Sequence, residues 1–347
     1  MNSLDHVLKD AFKASKSVSR RMLTAVAFQW VCRVTTMCSV LILAVLLYTV
    51  LSKGLGHLSW SFLTSSPHPD PARAGIWPAL MGTFWTCAAC GVLTLPIGIG
   101  TAIFLEELRP KNRMMRWLHA VVQLNIANLA GVPSIVYGIL GYTVFRTFAA
   151  TLSIWFDGNH VVGVLGLFRV RLAKLPLYED NVLVGALTLT LVILPTVIAA
   201  SQEALRSVPS SIRVASLALG ATRWQTIWRQ VIPAALPGIS TGVILSTSRA
   251  IGEAAPLIML GALTYTSMCP GNIDSPVKLL TRPGQVLHAP LDQFTAMPIE
   301  IYDWSKHPEP QFTAVAASGI VVLLVVLLAI NSVAMIVRHY ASRRMKW

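Results

Sequence analysis

Charged residues are scarce in this chain of 347 residues. Asp, Glu, Lys and Arg make up 12% of it, whereas 54% is hydrophobic and the mean hydropathy is +0.62. Soluble domains carry about twice that share of charge, so an ordinary soluble enzyme is excluded. Acidic residues are the scarcest, with 15 against 28 basic residues and a net charge of +13. The basic residues lie between long uncharged runs and form no continuous stripe, which excludes nucleic-acid binding.

Sequence motifs for catalysis are also missing. No G-x-x-x-x-G-K-S/T loop occurs and no Lys directly follows a Gly, so the usual ATP-binding loop is absent from the sequence. Cys87 and Cys90 form a C-x-x-C inside a hydrophobic run, without the second pair or the histidines that a zinc site requires. They are predicted to be small packing residues. We therefore expect no cofactor and no enzymatic activity, with ATP hydrolysis left to a partner.

Long hydrophobic runs dominate what is present. A helix that crosses a bilayer needs about 20 mostly apolar residues. The predicted spans are approximately residues 34–51, 78–105, 117–145, 181–200, 236–263 and 311–337. This pattern predicts an all-α integral membrane protein with six transmembrane helices. A tail of residues 1–30 precedes the membrane domain of residues 31–347.

The distribution of Lys and Arg predicts the orientation of the spans. Cytoplasmic loops retain positive charge. Most of the basic residues lie in the amino-terminal tail, the turn between the second and third spans, the segment between the fourth and fifth spans, and the carboxyl-terminal tail. Both termini are therefore predicted to face the cytoplasm, with the long loops 149–180 and 263–310 on the opposite side.

Residues 201–235, between the fourth and fifth spans, are predicted to form a structured cytoplasmic linker. Pro209 suits the first turn of a helix, and Gly220 suits the end of one, where a left-handed residue is needed. Thr222 and Gln225 have the spacing of a capping box, in which each side chain bonds the backbone N–H of the other residue. The linker is thus predicted to be a helix, a sharp turn and a second helix.

Both linker helices carry apolar residues at helical spacing. These residues are Ile212, Ala215 and Leu219 on the first helix, and Trp224, Ile227, Trp228 and Val231 on the second. Two interpretations follow. The linker lies on the inner leaflet as an interfacial hairpin, or it sits as a wedge in a groove of a cytoplasmic partner.

The linker resembles the docking loop of ABC importer permeases. The signature of that family is E-A-A-x3-G-x9-I-x-L-P, and Ala215, Gly220 and Pro233 keep its spacing. Val214 stands in place of the signature Glu, and Ser216 in place of the second Ala. The resemblance implies that the loop docks onto an ATPase subunit. The residues implied in this contact are Arg213, Val214, Ala215, Ser216, Leu219, Gly220, Ala221, Thr222 and Trp224.

Three longer stretches carry a more specific resemblance. Residues 129–138, 203–221 and 246–257 resemble the PstA-type permeases of phosphate-specific ABC importers. The resemblance implies phosphate as the substrate and a multi-pass location in the bacterial inner membrane. It also implies three kinds of partner: a second homologous permease, two ATPase subunits and an extracytoplasmic phosphate-binding protein.

Several alternatives share part of this pattern. A permease for another oxyanion, or the sister phosphate permease, keeps the same linker. A secondary transporter or channel needs no ATPase, and the structured linker together with the lack of two inverted half-length repeats disfavours it. An integral membrane enzyme is a poorer alternative, because the cytoplasmic segments carry no pairing of nucleophile and base.

Arg249 and Glu253 interrupt the fifth span. A charged side chain at the centre of a membrane helix costs about 2.5–3.5 kcal/mol, so the two charges need compensation. Four residues apart, they share a helix face and are predicted to pair. One hypothesis is that Arg249 attracts a passing oxyanion, because its planar fork matches two phosphate oxygens, while Glu253 prevents binding that is too tight. The alternative is a salt bridge that only fixes packing.

Overall fold

The computed structural model describes residues 2–108, 112–155, 161–164, 168–171, 181–260, 269–272 and 289–343. Within these ranges the chain is almost entirely helical, apart from one antiparallel hairpin of β1 (Val161–Val164) and β2 (Phe168–Arg171). The helices are α1 (Asn2–Gly54), α2 (Trp60–Thr64), α3 (Trp77–Glu107), α4 (Arg113–Leu129), α5 (Ser134–Trp155), α6 (Val182–Arg206), α7 (Ser210–Ala218), α8 (Arg223–Thr226), α9 (Ile232–Gly252), α10 (Ala255–Leu260), α11 (Met297–Lys306) and α12 (Pro310–Arg343).

Five of the described helices are long and apolar enough to cross a membrane, and a sixth crossing results if the bent pair α4 and α5 counts as one span. The five are Arg21–Gly54, Trp77–Glu107, Val182–Arg206, Arg223–Gly252 and Pro310–Tyr340. The predicted all-α membrane fold is confirmed. Helix α1 passes through residue 30 without a break, so the boundary between tail and membrane domain stays a prediction.

The third predicted span, 117–145, is not one continuous helix. It is divided between α4 and α5, which are bent by 116° at residues 130–133. Pro133 explains the position of this bend, because a proline disfavours helical geometry in the residue before it and offers no N–H to continue the helix.

The fifth predicted span, 236–263, is also interrupted. Helix α9 ends at Gly252, Glu253 has an extended backbone, and α10 begins at Ala255. Residues 261–263 lie outside the described residues. The linker is shorter than predicted, because α6 continues from Ser201 to Arg206 and only then does the chain leave the helix.

Helix α6 is the most buried of the candidate spans and forms the centre of the bundle. It packs beside α3, and the two helices run in the same direction. Thr94 of α3 donates a hydrogen bond to Thr190 of α6 (3.2 Å). Helix α9 crosses α6 closely at Gly238 and Gly242, where a Cβ atom would collide with the side chains of Ala204 and Ala200. These two glycines form a G-x-x-x-G, a spacing that lets two helices approach closely.

The bundle has two distinct ends. Glu107 of α3 and Arg213 of α7 meet at one of them, which we call the linker end. The opposite end is covered by residues 289–306, a segment that we call the cap. In the cap, the Met297 N–H donates to Thr83 Oγ1 (2.8 Å), and the Phe294 ring packs against Gly185.

Candidate docking surface and transmembrane ion pair

The turn after α7 has the local geometry that the sequence predicts. Gly220 adopts a left-handed backbone (φ 83°), which a residue with a Cβ atom enters only with strain. The Thr222 N–H donates to Gln225 Oε1 (2.9 Å) and the Gln225 N–H to Thr222 Oγ1 (3.3 Å), so the predicted capping box is confirmed. Ser216 and Thr226 share a hydrogen bond between their hydroxyls (2.9 Å), which fixes α7 against α8. The turn is therefore rigid.

Large apolar side chains project from this turn into the space beyond the bundle. Leu219 is 89% exposed and Val214 is 65% exposed. The Trp224 and Trp228 rings are also exposed and lie edge to face, with centroids 5.6 Å apart. We call these four residues and Leu217, which is exposed as well, the docking surface. An exposed apolar cluster of this kind is typical of an interaction site.

The four apolar residues of the second linker helix do not share one face in the structure. Ile227 and Val231 are buried inside the bundle, whereas Trp224 and Trp228 are exposed. Residues Ile227–Val231 form a π-helical segment between α8 and α9. The wider turn changes the angular positions of the side chains, so that two anchor the helix and two remain available for a partner.

Arg213 holds α7 against the bundle. Its Nη2 donates to Glu107 Oε1 (2.7 Å) and to the Leu205 carbonyl (2.9 Å), and its Nη1 donates to the Val208 carbonyl (2.7 Å). All three nitrogens of the guanidinium are used, because Nε also faces the Glu107 carboxylate (3.2 Å to Oε1). Arg213 thus contacts its own chain and positions the docking surface.

Sequence reasoning missed the acidic partners of this anchor. Glu106 pairs with Arg206 (Nε to Oε1, 3.0 Å) and Glu107 pairs with Arg213, both at the last turn of α3. Two adjacent acids at the end of a span, in a chain with few acids, were the available signal. A cavity of about 180 Å³ opens between the Glu107–Arg213 pair and the docking surface. It is lined by Glu107, Arg213, Leu217, Arg223, Thr226 and Ile227.

Arg249 and Glu253 form the predicted pair. Arg249 Nε lies 3.5 Å from Glu253 Oε2, and the side chains are 57% and 17% exposed. Glu253 is the first residue beyond α9, where the fifth span breaks. Within the described part of the chain no hydrogen bond and no other carboxylate engages the Arg249 guanidinium, so most of its donors remain free.

One face of α9 presents this pair away from the bundle. Leu245, one turn before Arg249, is 66% exposed, whereas Ser246 and Ala250 are buried. Ser248 points towards α12 and donates to Asn331 Oδ1 (2.6 Å). Arg249 therefore lies within a candidate span, on a surface that the described part of this chain leaves uncovered.

One helical rod joins the docking surface to the ion pair. Residues Arg223–Gly252, comprising α8, the π-helical segment and α9, form a candidate span of 30 residues. At 1.5 Å per residue its length is about 45 Å. Pro233 and Pro237 offer no backbone N–H within this rod, yet the helix continues through both positions, so Trp224 of the docking surface and Arg249 lie on one element.

Comparisons with known proteins agree with this architecture. Residues 94–347 match the family described as "Binding-protein-dependent transport system inner membrane component". The chain is 29% identical to the probable ABC transporter permease protein YqgI of Bacillus subtilis (85% of this chain, 89% of that protein). It is 30% identical to the phosphate transport system permease protein PstA 1 of Mycobacterium tuberculosis (86% and 83%).

A solved structure shows the same fold. The chain resembles one chain of a bacterial alginate ABC transporter, solved in complex with an alginate-bound periplasmic protein, with a TM-score of 0.57 and 16% identity. The likeness covers 91% of this chain and 95% of that one. The family match extends over more than half of the chain and includes the linker, the docking surface and the ion pair. The chain therefore belongs to the family of binding-protein-dependent transport system inner membrane components.

Proposed function

We propose that this chain is a permease subunit of an ATP-driven importer of inorganic phosphate. The observation that carries the proposal is the rod Arg223–Gly252, which joins an exposed apolar docking surface to an exposed arginine within the same candidate span. Relatives named as phosphate transport system permeases, at 26–30% identity over more than four fifths of the chain, support phosphate as the substrate.

An ATPase subunit is the proposed partner of the docking surface. Leu219 and Val214 enter its groove together with the tryptophans, and Arg213 holds the surface in place through Glu107. Burial of exposed apolar side chains drives this contact. Two such ATPases serve the complex, one on this chain and one on a second homologous permease. The linker end and both termini face the cytoplasm in this arrangement.

Arg249 is the proposed contact for phosphate in the path between the two permeases. A guanidinium stays charged at physiological pH and offers paired donors to two oxygens of an oxyanion. Glu253 holds the guanidinium between transport events and competes with phosphate for it, so that release stays fast. An extracytoplasmic binding protein delivers phosphate to the cap end.

Reconstitution tests this proposal directly. The chain is co-expressed with a sister permease and an ATPase, placed in lipid vesicles and supplied with a phosphate-loaded binding protein. We expect ATP hydrolysis and phosphate uptake to rise together, with no response to sulfate. Phosphate uptake that continues without any ATPase, or a larger response to sulfate, would overturn the assignment.

A further inference from the structure

The cap contains a fully buried carboxyl group. Glu300 lies in the first turn of α11 and is 0% exposed. The segment before it is fixed on the bundle, because the Met297 N–H donates to Thr83 Oγ1 (2.8 Å) while the Thr83 hydroxyl donates to the Ala79 carbonyl (2.8 Å). Thr295 packs directly over Gly82, which leaves no room for a Cβ atom there. Glu300 is thus enclosed as long as the cap stays docked.

Glu300 has few hydrogen-bond partners in this enclosure. Its Oε2 lies 3.5 Å from Thr295 Oγ1, a weak contact, and its Oε1 has no partner among the described residues. One turn further along the same helix face, the buried Trp304 Nε1 also lacks a partner in the described part of the chain. An ionised carboxylate without partners is costly to bury, whereas a protonated one is far less so.

The charged groups around the cap do not neutralise Glu300. Asp303, one turn along α11, adds a like charge. The ammonium of Lys306 lies over the Tyr302 ring (4.1 Å), and the His307 ring stacks on Phe312. Asp292 accepts from the Gly271 N–H (2.7 Å).

The helices packed against the cap bring no compensating charge. Among the described side chains of helices α2, α3, α6 and α12, those that are charged or titratable, apart from cysteines, lie at the linker end: Glu106, Glu107, Glu203, Arg206, Arg338, His339 and Tyr340. In the loop before α3, Asp70 and Arg73 pair with each other (3.8 Å) and are exposed, and the exposed His68 accepts from the Asp70 N–H through Nδ1 (3.0 Å).

Burial and, to a smaller extent, the like charge of Asp303 together raise the pKa of the Glu300 carboxyl from 4.5 to about 8. Because the pKa of the docked carboxyl is raised, its protonated form stabilises the docked cap. This stabilisation is fully present when the pH is below the ordinary pKa of 4.5. That stabilisation is lost progressively as the pH rises from about 4.5 to about 8. Above pH 8 the carboxyl is ionised in both the docked and the open cap, so the stability of the docked cap no longer changes with pH.

We propose that Glu300 is a proton-binding site that locks the cap: the carboxyl is protonated when α11 is docked on α3 and releases its proton when the cap opens. Opening of this end of the bundle is thereby linked to the pH on the cap side, and alkaline pH favours the open state. The link depends on the enclosure of Glu300 and not on which substrate the protein carries.

Hydrogen exchange in the complete transporter, held in lipid nanodiscs, tests the proposal. The protection factor of the α11 amides is measured from pH 5 to pH 9, after correction for intrinsic exchange. If one proton is released on opening, protection falls about tenfold per pH unit until pH 8 and is then constant. In Glu300→Gln, which keeps the shape and removes the titration, we expect protection that does not depend on pH.

Two further variants separate this effect from general loosening. Asp303→Asn removes the like charge, so the pH at which protection becomes constant should move below 8. Glu309→Gln, an exposed acid at the start of α12, should behave as the wild type. The proposal is overturned if wild-type α11 shows no pH dependence, if Glu300→Gln keeps the wild-type slope, or if Asp303→Asn leaves the end point at pH 8.

Discussion

Among the charged residues of the candidate sites, Arg249 has the fewest partners for its hydrogen-bond donors within the described part of the chain. It lies in a candidate span, is 57% exposed, and faces one carboxylate at 3.5 Å. Arg213 offers a contrast, because it is 25% exposed and all its nitrogens bond within the chain. A guanidinium with free donors at membrane depth is costly unless another molecule completes its contacts. We expect an oxyanion to do so during transport.

Arg249→Ala should abolish most phosphate uptake while leaving assembly intact. A hydrogen bond to a charged group contributes ~1.5–3 kcal/mol, so we expect uptake to fall roughly 10- to 100-fold. Arg249→Lys keeps the charge but loses the planar fork and should retain an intermediate rate. Uptake in vesicles is the measurement. The control is Arg33→Ala, an exposed arginine in α1 that lies over the Trp30 ring; equal losses in both variants would show that Arg249 only stabilises a span.

At the scale of elements, the sequence predicted those features that depend on near neighbours. The capping box at Thr222 and the left-handed turn at Gly220 are specified by residues within a few positions, so spacing alone was sufficient. In the third and fifth spans, Pro133 and Pro256 indicate a bend, but the angle of 116° at the first of them is not predictable, because hydropathy is continuous through Pro133 and does not report backbone direction. The cap was missed because Glu300 lies 217 positions from Thr83, and only the folded chain brings α11 onto α3.

Gly220→Val should weaken docking of the ATPase. A β-branched residue with a left-handed backbone costs about 1–2 kcal/mol, and relief of that strain would reorient Leu219 and Trp224. We expect normal membrane levels but reduced co-purification of the ATPase and less ATP hydrolysis. Gly56→Val is the matched control, since Gly56 has open space around it and no left-handed backbone. Undiminished co-purification in Gly220→Val would argue against the docking role.

Arg213→Ala and Glu107→Gln should differ in severity. The first removes all contacts of the guanidinium and leaves a largely buried carboxylate unpaired, at a cost of about 1–3 kcal/mol. The second keeps the bonds from Arg213 to the Leu205 and Val208 carbonyls. Hydrogen exchange of α7 should therefore increase more in Arg213→Ala than in Glu107→Gln. Equal increases would mean that the ion pair alone holds the helix.

On the scale of the whole molecule, one rod links the two candidate sites. The segment Arg223–Gly252 begins at the docking surface, passes the centre of the bundle at Gly238 and Gly242, and ends at the ion pair. Close packing on α6 at Gly238 and Gly242 supports the rod next to Pro237, so we expect a tilt imposed at one end to be transmitted to the other. Arg206 at the end of α6 and Arg213 in α7 both pair with the end of α3, so we expect α3 to move with them.

Breaking the rod between its two ends should separate ATP hydrolysis from transport. Leu245→Pro removes a backbone hydrogen bond and clashes with the carbonyl of Thr241, so the helix kinks between the docking surface and Arg249. Leu245→Ala removes the same exposed side chain without breaking the helix and serves as the control. We expect Leu245→Pro to bind the ATPase and hydrolyse ATP while phosphate uptake per ATP falls sharply, and Leu245→Ala to stay coupled. Both quantities are measured in the same vesicles. If Leu245→Pro keeps the wild-type ratio, α9 is not the element that carries the motion, and the coupling has to pass through α3 and the two arginine anchors instead.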